Sequence, residues 1–316
     1  MKVQMMRRAA WLLLPALVLA FLLLGSGLDF SYVIPKRLVR LGAIVVAGVC
    51  IALSSVIFQT LAGNRVLTPA IMGYEGIYLL FQAVLVLWLG TGSVALLGAQ
   101  GNALLSMALM LGYSWLLQRW LLREGRGDVY RLLLLGLVLT MVLGTFTQFI
   151  QLKTSPGEFS ILQSLGYTSF NRAQPAQVLY SGLLVAAVAV LVARGTRVLD
   201  VLALGRDQAI ALGLDHGRCL RLQMALIAVL VAVSTSLVGP TAFMGVFVAN
   251  IAYALARSAR HQVTLPLACA VAIGMFLLAQ LLVEHLFNYR TSVSILVNLV
   301  CGAYFLALMV RTRGTP

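Results

Sequence analysis

Residues 39–60 read VRLGAIVVAGVCIALSSVIFQT, and no charged side chain follows Arg40 within them. A helix needs roughly 20 mostly apolar residues to cross the hydrocarbon core of a bilayer, so this stretch is long enough. Comparable runs occur at about 9–28, 39–60, 69–89, 93–118, 131–152, 176–194, 218–238, 243–257, 265–287 and 293–311. The pattern predicts an all-α membrane protein of about ten transmembrane helices, forming a single polytopic domain over residues 1–316.

The composition supports the same interpretation. Hydrophobic residues make up 61% of the chain and charged residues only 10%. Soluble domains are about 45–50% apolar and about 25% charged. A soluble fold of this length could not bury so much apolar surface, because the buried fraction grows only slowly with chain length.

Basic residues are distributed unevenly between the predicted connections. The chain carries 23 Lys and Arg residues and a net charge of +14. With a cytoplasmic N-terminus and ten spans, six of them fall outside, namely Lys36, Arg37, Arg40, Lys153, Arg172 and Arg290. The other basic residues fall inside, as expected for cytoplasmic loops, so both termini are predicted to be cytoplasmic. Because the charges are spread between apolar runs rather than gathered on one soluble face, nucleic acid is not expected as a partner.

The N-terminus has an alternative interpretation. Lys2, Arg7 and Arg8 precede the apolar run 11–24, and small residues follow at 25–27. This order is also typical of a cleaved signal peptide. A retained first span gives the same topology, and we favour it.

Two connections are long enough to carry structure of their own. Residues 153–175 are predicted to form a polar outer loop. In the inner connection, 195–217, apolar residues between Leu199 and Leu212 alternate with Arg206 and Asp207, as in a short amphipathic helix. Gly213 is placed to end that helix. Such a segment invites a soluble partner, although a helix lying in the lipid headgroups has the same pattern.

Two acidic residues fall within apolar spans. Because a charge within a bilayer is costly, Glu75, flanked by Gly73 and Gly76, is interpreted as facing a water-filled path. Glu284 lies near an outer helix end and is expected to reach headgroup water. Ala70-Ile71-Met72-Gly73 is also echoed by Ala242-Phe243-Met244-Gly245 after a span of opposite direction, a weak sign of an inverted repeat.

Signatures of catalysis are missing from the sequence. No GxxxxGK(S/T) phosphate-binding loop and no GxSxG nucleophile elbow occurs. His216, His261 and His285 are scattered, and the four cysteines form neither a CxxC pair nor a cluster with histidine. We therefore expect no enzyme, no metal site and no cofactor in this chain.

Several motifs resemble the FecCD-type permease family, which imports iron–siderophores, haem and cobalamin. Arg37-Leu38-Val39-Arg40 is similar to its R-L-P-R motif, and Gln59 with residues 64–73 is similar to its Q…N-P-L-A-x-P-x-x-L-G stretch. Residues 205–213 resemble its G-x-x-x-A-x-x-L-G segment, and residues 239–246 its G-P-I-x-F-x-G-L motif. The resemblance runs from about residue 37 to 311.

Two departures from the family pattern are notable. Asn64-Arg65 stands where the family has Asn-Pro, and Ala249-Asn250-Ile251-Ala252-Tyr253 stands where it often has P-H-I-x-R. The second variant, together with Glu158-Phe159 and Leu162-Gln163-Ser164, resembles a branch associated with catecholate-type siderophores.

The resemblance implies a type II ABC importer permease with ten helices per subunit, paired with an identical or related permease. It implies two ATP-binding subunits that use ATP and dock on an inner segment containing Gly205, Arg206, Asp207, Ala209, Leu212 and Gly213. A periplasmic substrate-binding protein would be held by Arg37, Arg40 and Arg290. Gly73, Glu75 and Asn64 are assigned to the translocation path, in a bacterial inner membrane whose lipid surrounds the subunit.

The expected mechanism is alternating access, with ATP hydrolysis in the partner moving the inner segment and opening the path inward. The expected cargo is a ferric siderophore, with cobalamin or haem as alternatives. Two other classes stay open: an ion-coupled secondary transporter, which would depend on intramembrane acids such as Glu75, and a membrane scaffold that transports nothing.

Overall fold

A computed structural model describes residues 2–25, 31–90, 93–121, 129–241 and 243–312, and these residues contain thirteen α-helices and no strand. The first seven helices are α1 (Lys2–Leu23), α2 (Val33–Ala62), α3 (Tyr74–Leu89), α4 (Ser93–Leu121), α5 (Val129–Gln151), α6 (Pro156–Leu165) and α7 (Pro175–Arg194). The other six are α8 (Thr196–Leu202), α9 (Arg206–Ala211), α10 (His216–Val238), α11 (Met244–Ala256), α12 (His261–Leu281) and α13 (Val293–Thr312). A 3₁₀ turn at Pro69–Met72 precedes α3, and a π turn at Leu282–Leu286 continues α12.

Each predicted apolar run coincides with a helix. Five helices in the described part of the chain are long and apolar enough to cross a membrane: α2, residues 133–151 of α5, α7, α10, and α12 with its π turn. Four shorter apolar helices cover residues 11–23, 74–89, 244–256 and 293–307. The remaining run is α4, which is interrupted where Gly98 adopts non-helical backbone angles. The sequence-based prediction of an all-α membrane protein is therefore confirmed.

The central element of the bundle is α2. In its most apolar 18-residue window, 78% of residues are buried within the protein, which is unusual for a helix that could otherwise face lipid. Its neighbours include α7, α10, α11 and α12. Small side chains such as Ala43, Ala47 and Ala52 are fully buried, which allows the neighbouring helices to approach closely.

The helix α5 has the opposite character. Only 11% of the residues in its most apolar 18-residue stretch are buried, and large side chains such as Met141, Phe146 and Phe149 are exposed. This surface is available to lipid or to another protein chain.

Both long connections contain more regular structure than predicted. The connection 153–175 was expected to be a polar loop, but it contains α6, which begins with a capping box between Ser155 and Glu158. That S-x-x-E spacing is a helix-start signal that is present in the sequence itself. The inner connection was expected to hold one amphipathic helix. It holds two, α8 and α9, because Gly205 between them has a φ of 99° and breaks the helical path.

Candidate functional site

The inner segment, residues 205–213, presents a mixed apolar and charged surface. Ala209 is fully buried and anchors α9, whereas Ile210 and Leu212 are 50% and 62% exposed. Arg206 and Asp207 are exposed beside them. Exposed apolar side chains gathered in this way are typical of a protein–protein contact. Of the six residues that the sequence predicts for docking, Ala209 is buried and the other five are exposed.

The end of α9 is fixed by its backbone. The amide of Gly213 donates to the carbonyl of Ile210 at 2.9 Å, and the amide of Leu214 donates to the carbonyl of Ala209 at 3.0 Å. These two bonds form a Schellman motif, which requires a left-handed residue, and Gly213 has a φ of 86°. The predicted role of Gly213 as a helix stop agrees with this geometry.

A buried hydrogen-bonded chain connects the short helix α8 to α12 and α2. Asp200 of α8 accepts from the backbone amide of His261 at 2.8 Å and contacts its Nδ1 at 2.6 Å. The other ring nitrogen of His261 lies 2.8 Å from Oγ1 of Thr60, in the last turn of α2. The His261 side chain is only 5% exposed. These contacts attach α8 to the C-terminal end of α2 and the N-terminal end of α12.

Arg37 is buried at the opposite end of α2. Its Nη1 donates to the carbonyls of Phe21, Leu22 and Leu24 at the end of α1, at 2.8, 3.3 and 2.6 Å. Its Nη2 pairs with Glu284 at 2.5 Å, and the two side chains are only 5% and 13% exposed. Glu284 is predicted from the sequence to reach headgroup water, but it forms this ion pair with Arg37 instead. Arg37 therefore does not present its charge at the surface.

Arg40 contacts the turn that carries Arg290. Arg40 donates to the hydroxyl of Tyr289 at 3.4 Å, and Arg290 follows Tyr289 in an exposed turn. Burial, followed by the negative charge of Glu284, raises the pKa of the Tyr289 phenol, so its hydroxyl stays protonated. The two arginines give this rim a positive charge.

Glu75 connects the two segments that carry the faint internal repeat. It lies in the first turn of α3, two residues after Gly73, and accepts from the backbone amide of Thr241 at 3.0 Å. A cavity of about 30 Å³ beside it is lined by both apolar groups and hydroxyl groups, including that of Ser234, which has no hydrogen-bond partner among the described residues. That volume and lining suit an ordered water. Ala242, part of the second copy of the repeat, lies outside the described residues.

Of the three residues assigned to the path, Glu75 lines this cavity, Gly73 lies two residues before it, and Asn64 is separate. Asn64 is exposed just after α2, where its side chain accepts from the amide of Val66 at 2.9 Å. It does not line the cavity beside Glu75.

The two departures from the family pattern contact each other. Asn250 donates to the carbonyl of Arg65 at 2.9 Å, and the Arg65 guanidinium lies 4.8 Å from the centre of the Tyr253 ring. A proline at 65 would lack this cation–π contact, so the Arg65 and Asn250–Tyr253 variants form one structural unit.

Sequence reasoning missed the partners of the buried polar groups. Glu284 is 247 positions from Arg37, and His261 is 201 positions from Thr60. No local spacing signals contacts over such separations. The only available signal was the cost of a charge within an apolar span, which marks Glu284 as a residue in need of a partner.

Together these features define a multi-pass membrane protein with an exposed, structured segment at residues 205–213 and basic residues near the opposite end of α2. The chain belongs to the FecCD transport family, whose model matches residues 7–311. The resemblance seen in the sequence is therefore confirmed, and the chain is a transport protein.

Two relatives and one solved structure show how far the similarity extends. The chain is 32% identical to the petrobactin import system permease protein YclO of Bacillus subtilis, over 90% of each chain. It is 30% identical to the petrobactin import system permease protein FatC of Bacillus anthracis, over 97% of this chain and 90% of the relative. Its fold matches that of a metal-chelate type ABC transporter in an inward-facing conformation, with a TM-score of 0.84, 19% identity, and coverage of 98% and 99% of the two chains.

The ion pair between Arg37 and Glu284 generates a stability prediction. Arg37→Gln should lower the free energy of unfolding in detergent by about 3–5 kcal/mol, because it leaves a buried carboxylate without its partner. Arg40→Gln, one turn along the same helix, is the matched control and should cost less than about 0.5 kcal/mol. Denaturant titration followed by tryptophan fluorescence measures both. Equal effects of the two substitutions would contradict a structural role for Arg37.

Proposed function

We propose that this chain is the permease subunit of an ATP-driven importer that carries a ferric siderophore, of the catecholate type, from the periplasm to the cytoplasm. The observation that carries the proposal is the exposed inner segment, linked through α8, Asp200 and His261 to α2 and α12. A secondary transporter working alone has no need of such a surface. Membership of the FecCD transport family and the petrobactin permeases among the relatives support the cargo class.

The inner segment is the proposed docking site for two ATP-binding subunits, one on each permease of a dimer. Ile210 and Leu212 offer apolar anchors, and Arg206 and Asp207 offer charges of both signs around them. This arrangement of an apolar centre with a polar rim is common in protein interfaces. ATP is used by the partner, and this chain supplies only the surface that receives the movement.

The outer rim is the proposed docking site for a periplasmic substrate-binding protein. The half-buried Arg40 and the exposed Arg290 carry positive charge there, and they would attract acidic side chains on that partner. Arg37 was assigned to the same role from the sequence. Because its guanidinium is buried, we now propose that it positions the rim by fixing the end of α1 against α2.

The translocation path is proposed to form between two permease subunits, with Glu75 and Gly73 near it. The exposed apolar surface of α5, including Met141 and Phe146, is available to line the path or contact the second permease. Alternating access would follow when ATP binding draws the two inner segments together. Both termini are proposed to be cytoplasmic, on the same side as these segments.

The first experiment is uptake of radioactive iron by cells with and without this chain, from separate catecholate, hydroxamate and citrate chelates. Labelled haem and cobalamin test the alternative cargoes. The same cells should carry Leu212→Asp, which places a charge in the proposed ATPase contact, or Leu212→Met, which keeps it apolar. We expect uptake from the catecholate chelate to fall at least about tenfold with Leu212→Asp, because burying an unpaired charge costs several kcal/mol. Leu212→Met should retain wild-type uptake.

Loss confined to haem or cobalamin would keep the family and reject the siderophore assignment. Wild-type uptake by Leu212→Asp, with the protein shown to be present in the membrane, would reject docking through the inner segment. Uptake that persists when the ATP-binding subunits are deleted would favour an ion-coupled transporter.

A second prediction concerns the connection between α8 and α2. His261→Ala removes the side-chain contacts to Asp200 and Thr60, so ATP hydrolysis should continue while transport per ATP falls about tenfold, as expected from losing one charged hydrogen bond. His285→Ala, at an exposed histidine near the opposite end of α12, is the matched control. The measurement is the ratio of iron transported to ATP hydrolysed in vesicles that contain the complete complex. An unchanged ratio in His261→Ala would show that the contact is only structural.

A further inference from the structure

An apolar cavity of about 500 Å³ lies between α2, α7 and α12. Its walls include Leu53 of α2, Ala189 and Val192 of α7, and Leu265 of α12. This volume falls within the range of about 300–1,000 Å³ that is usual for pockets binding small molecules. The cavity is separate from the small polar cavity beside Glu75 and from the inner segment.

The cavity opens sideways, towards the region that lipid occupies. Ala193 of α7 and Pro266 of α12 line it and are exposed, so the opening lies between these two helices. Both helices are long and apolar enough to cross a membrane. The lining residues lie in the last turns of α7 and the first turns of α12, so the opening is close to the level where hydrocarbon meets the headgroup layer.

Three exposed arginines directly follow or precede residues that line the cavity, namely Ala193, Thr196 and His261. Arg194 is the last residue of α7, Arg197 lies in the first turn of α8, and Arg260 immediately precedes α12. Their helix ends meet, because Gln262 donates to Thr196 at 3.5 Å and both residues line the cavity. Within the described part of the chain, none of the three forms an ion pair with a carboxylate. Asp200, the acidic side chain of α8, is directed to His261 instead.

We propose that this cavity is a binding site for an anionic phospholipid. One acyl chain would fill the space between α7 and α12, and the phosphate would bind Arg194, Arg197 and Arg260. An apolar cavity alone would accept any chain, but basic residues at the headgroup level select a negatively charged lipid. The apolar lining suits an acyl chain, and the adjacent basic residues suit a phosphate, so the site combines the two parts of an anionic lipid.

A lipid in this site would contact the moving parts of the subunit. Thr196 and His261 form part of the cavity wall, and His261 is the residue that connects α8 to α2. The acyl chain would occupy the space between α7 and α12, which these helices could otherwise fill by packing against each other. The inference requires only that the protein is embedded in a membrane, so it does not depend on the proposed cargo.

The experiment is native mass spectrometry of the purified full-length chain, mixed with equal amounts of dioleoyl phosphatidylglycerol and dioleoyl phosphatidylcholine. We expect one retained lipid with a preference for phosphatidylglycerol. Replacing the arginines by glutamine should weaken that retention about fivefold for each arginine removed. Arg221→Gln, at an exposed arginine of α10 that does not adjoin the cavity, is the matched control and should leave retention unchanged.

A second pair of variants tests the cavity itself. Ala189→Phe fills it and should abolish the retained lipid, whereas Ala186→Phe, on an exposed part of the same helix, should not. Equal retention of the two lipids by the wild-type protein, or unchanged retention in Ala189→Phe, would overturn the proposal. Displacement of phosphatidylglycerol by inorganic phosphate alone would likewise overturn it, because the site would then be a simple anion site.

Discussion

The pairing of α2 with α12 is the constraint on which the rest of the structure depends. These two central helices are joined at both ends by buried polar contacts: Arg37 with Glu284 at one end, and Thr60 with His261 at the other. In a bilayer such groups cannot turn to water, so each needs a partner inside the protein. Removing one partner would leave the other buried and unpaired, at the full cost of its desolvation. Because a shift of either helix would separate the partners, the two helices are held in a single register.

This arrangement attaches the inner segment to a pair of helices that are held in fixed register. The contact between Asp200 and His261 attaches α8 to the inner end of the pair, and α9 with its exposed apolar side chains follows α8 directly. At the other end, Arg37 holds the last turn of α1 beside the rim that carries Arg40 and Arg290. A displacement at the inner surface can thus reach the outer rim through packed helices, which is the requirement for the alternating access that we propose.

Much of the fold was predictable from the sequence, because its main determinant is local. Apolar runs of the right length located the helices, and Gly213 marked the end of α9 through a backbone conformation that other residues rarely adopt. The capping box at Ser155 was equally local and would have predicted α6. The roles of the site residues were harder to predict from the sequence. Arg37 and Arg40 are one turn apart and look equivalent in the sequence, yet one is buried in an ion pair and the other lies at the rim. Only the fold, which brings Glu284 to Arg37 but not to Arg40, distinguishes them.

The central claim is that this chain moves its cargo only when a separate ATPase acts on the inner segment. The most direct measurement is accumulation of a labelled ferric catecholate in proteoliposomes that contain the purified permease, its ATP-binding subunits and the substrate-binding protein. We predict that accumulation requires ATP and all of the subunits, and that it is insensitive to dissipation of ion gradients. Accumulation in vesicles that contain this chain alone and an imposed ion gradient would contradict the account.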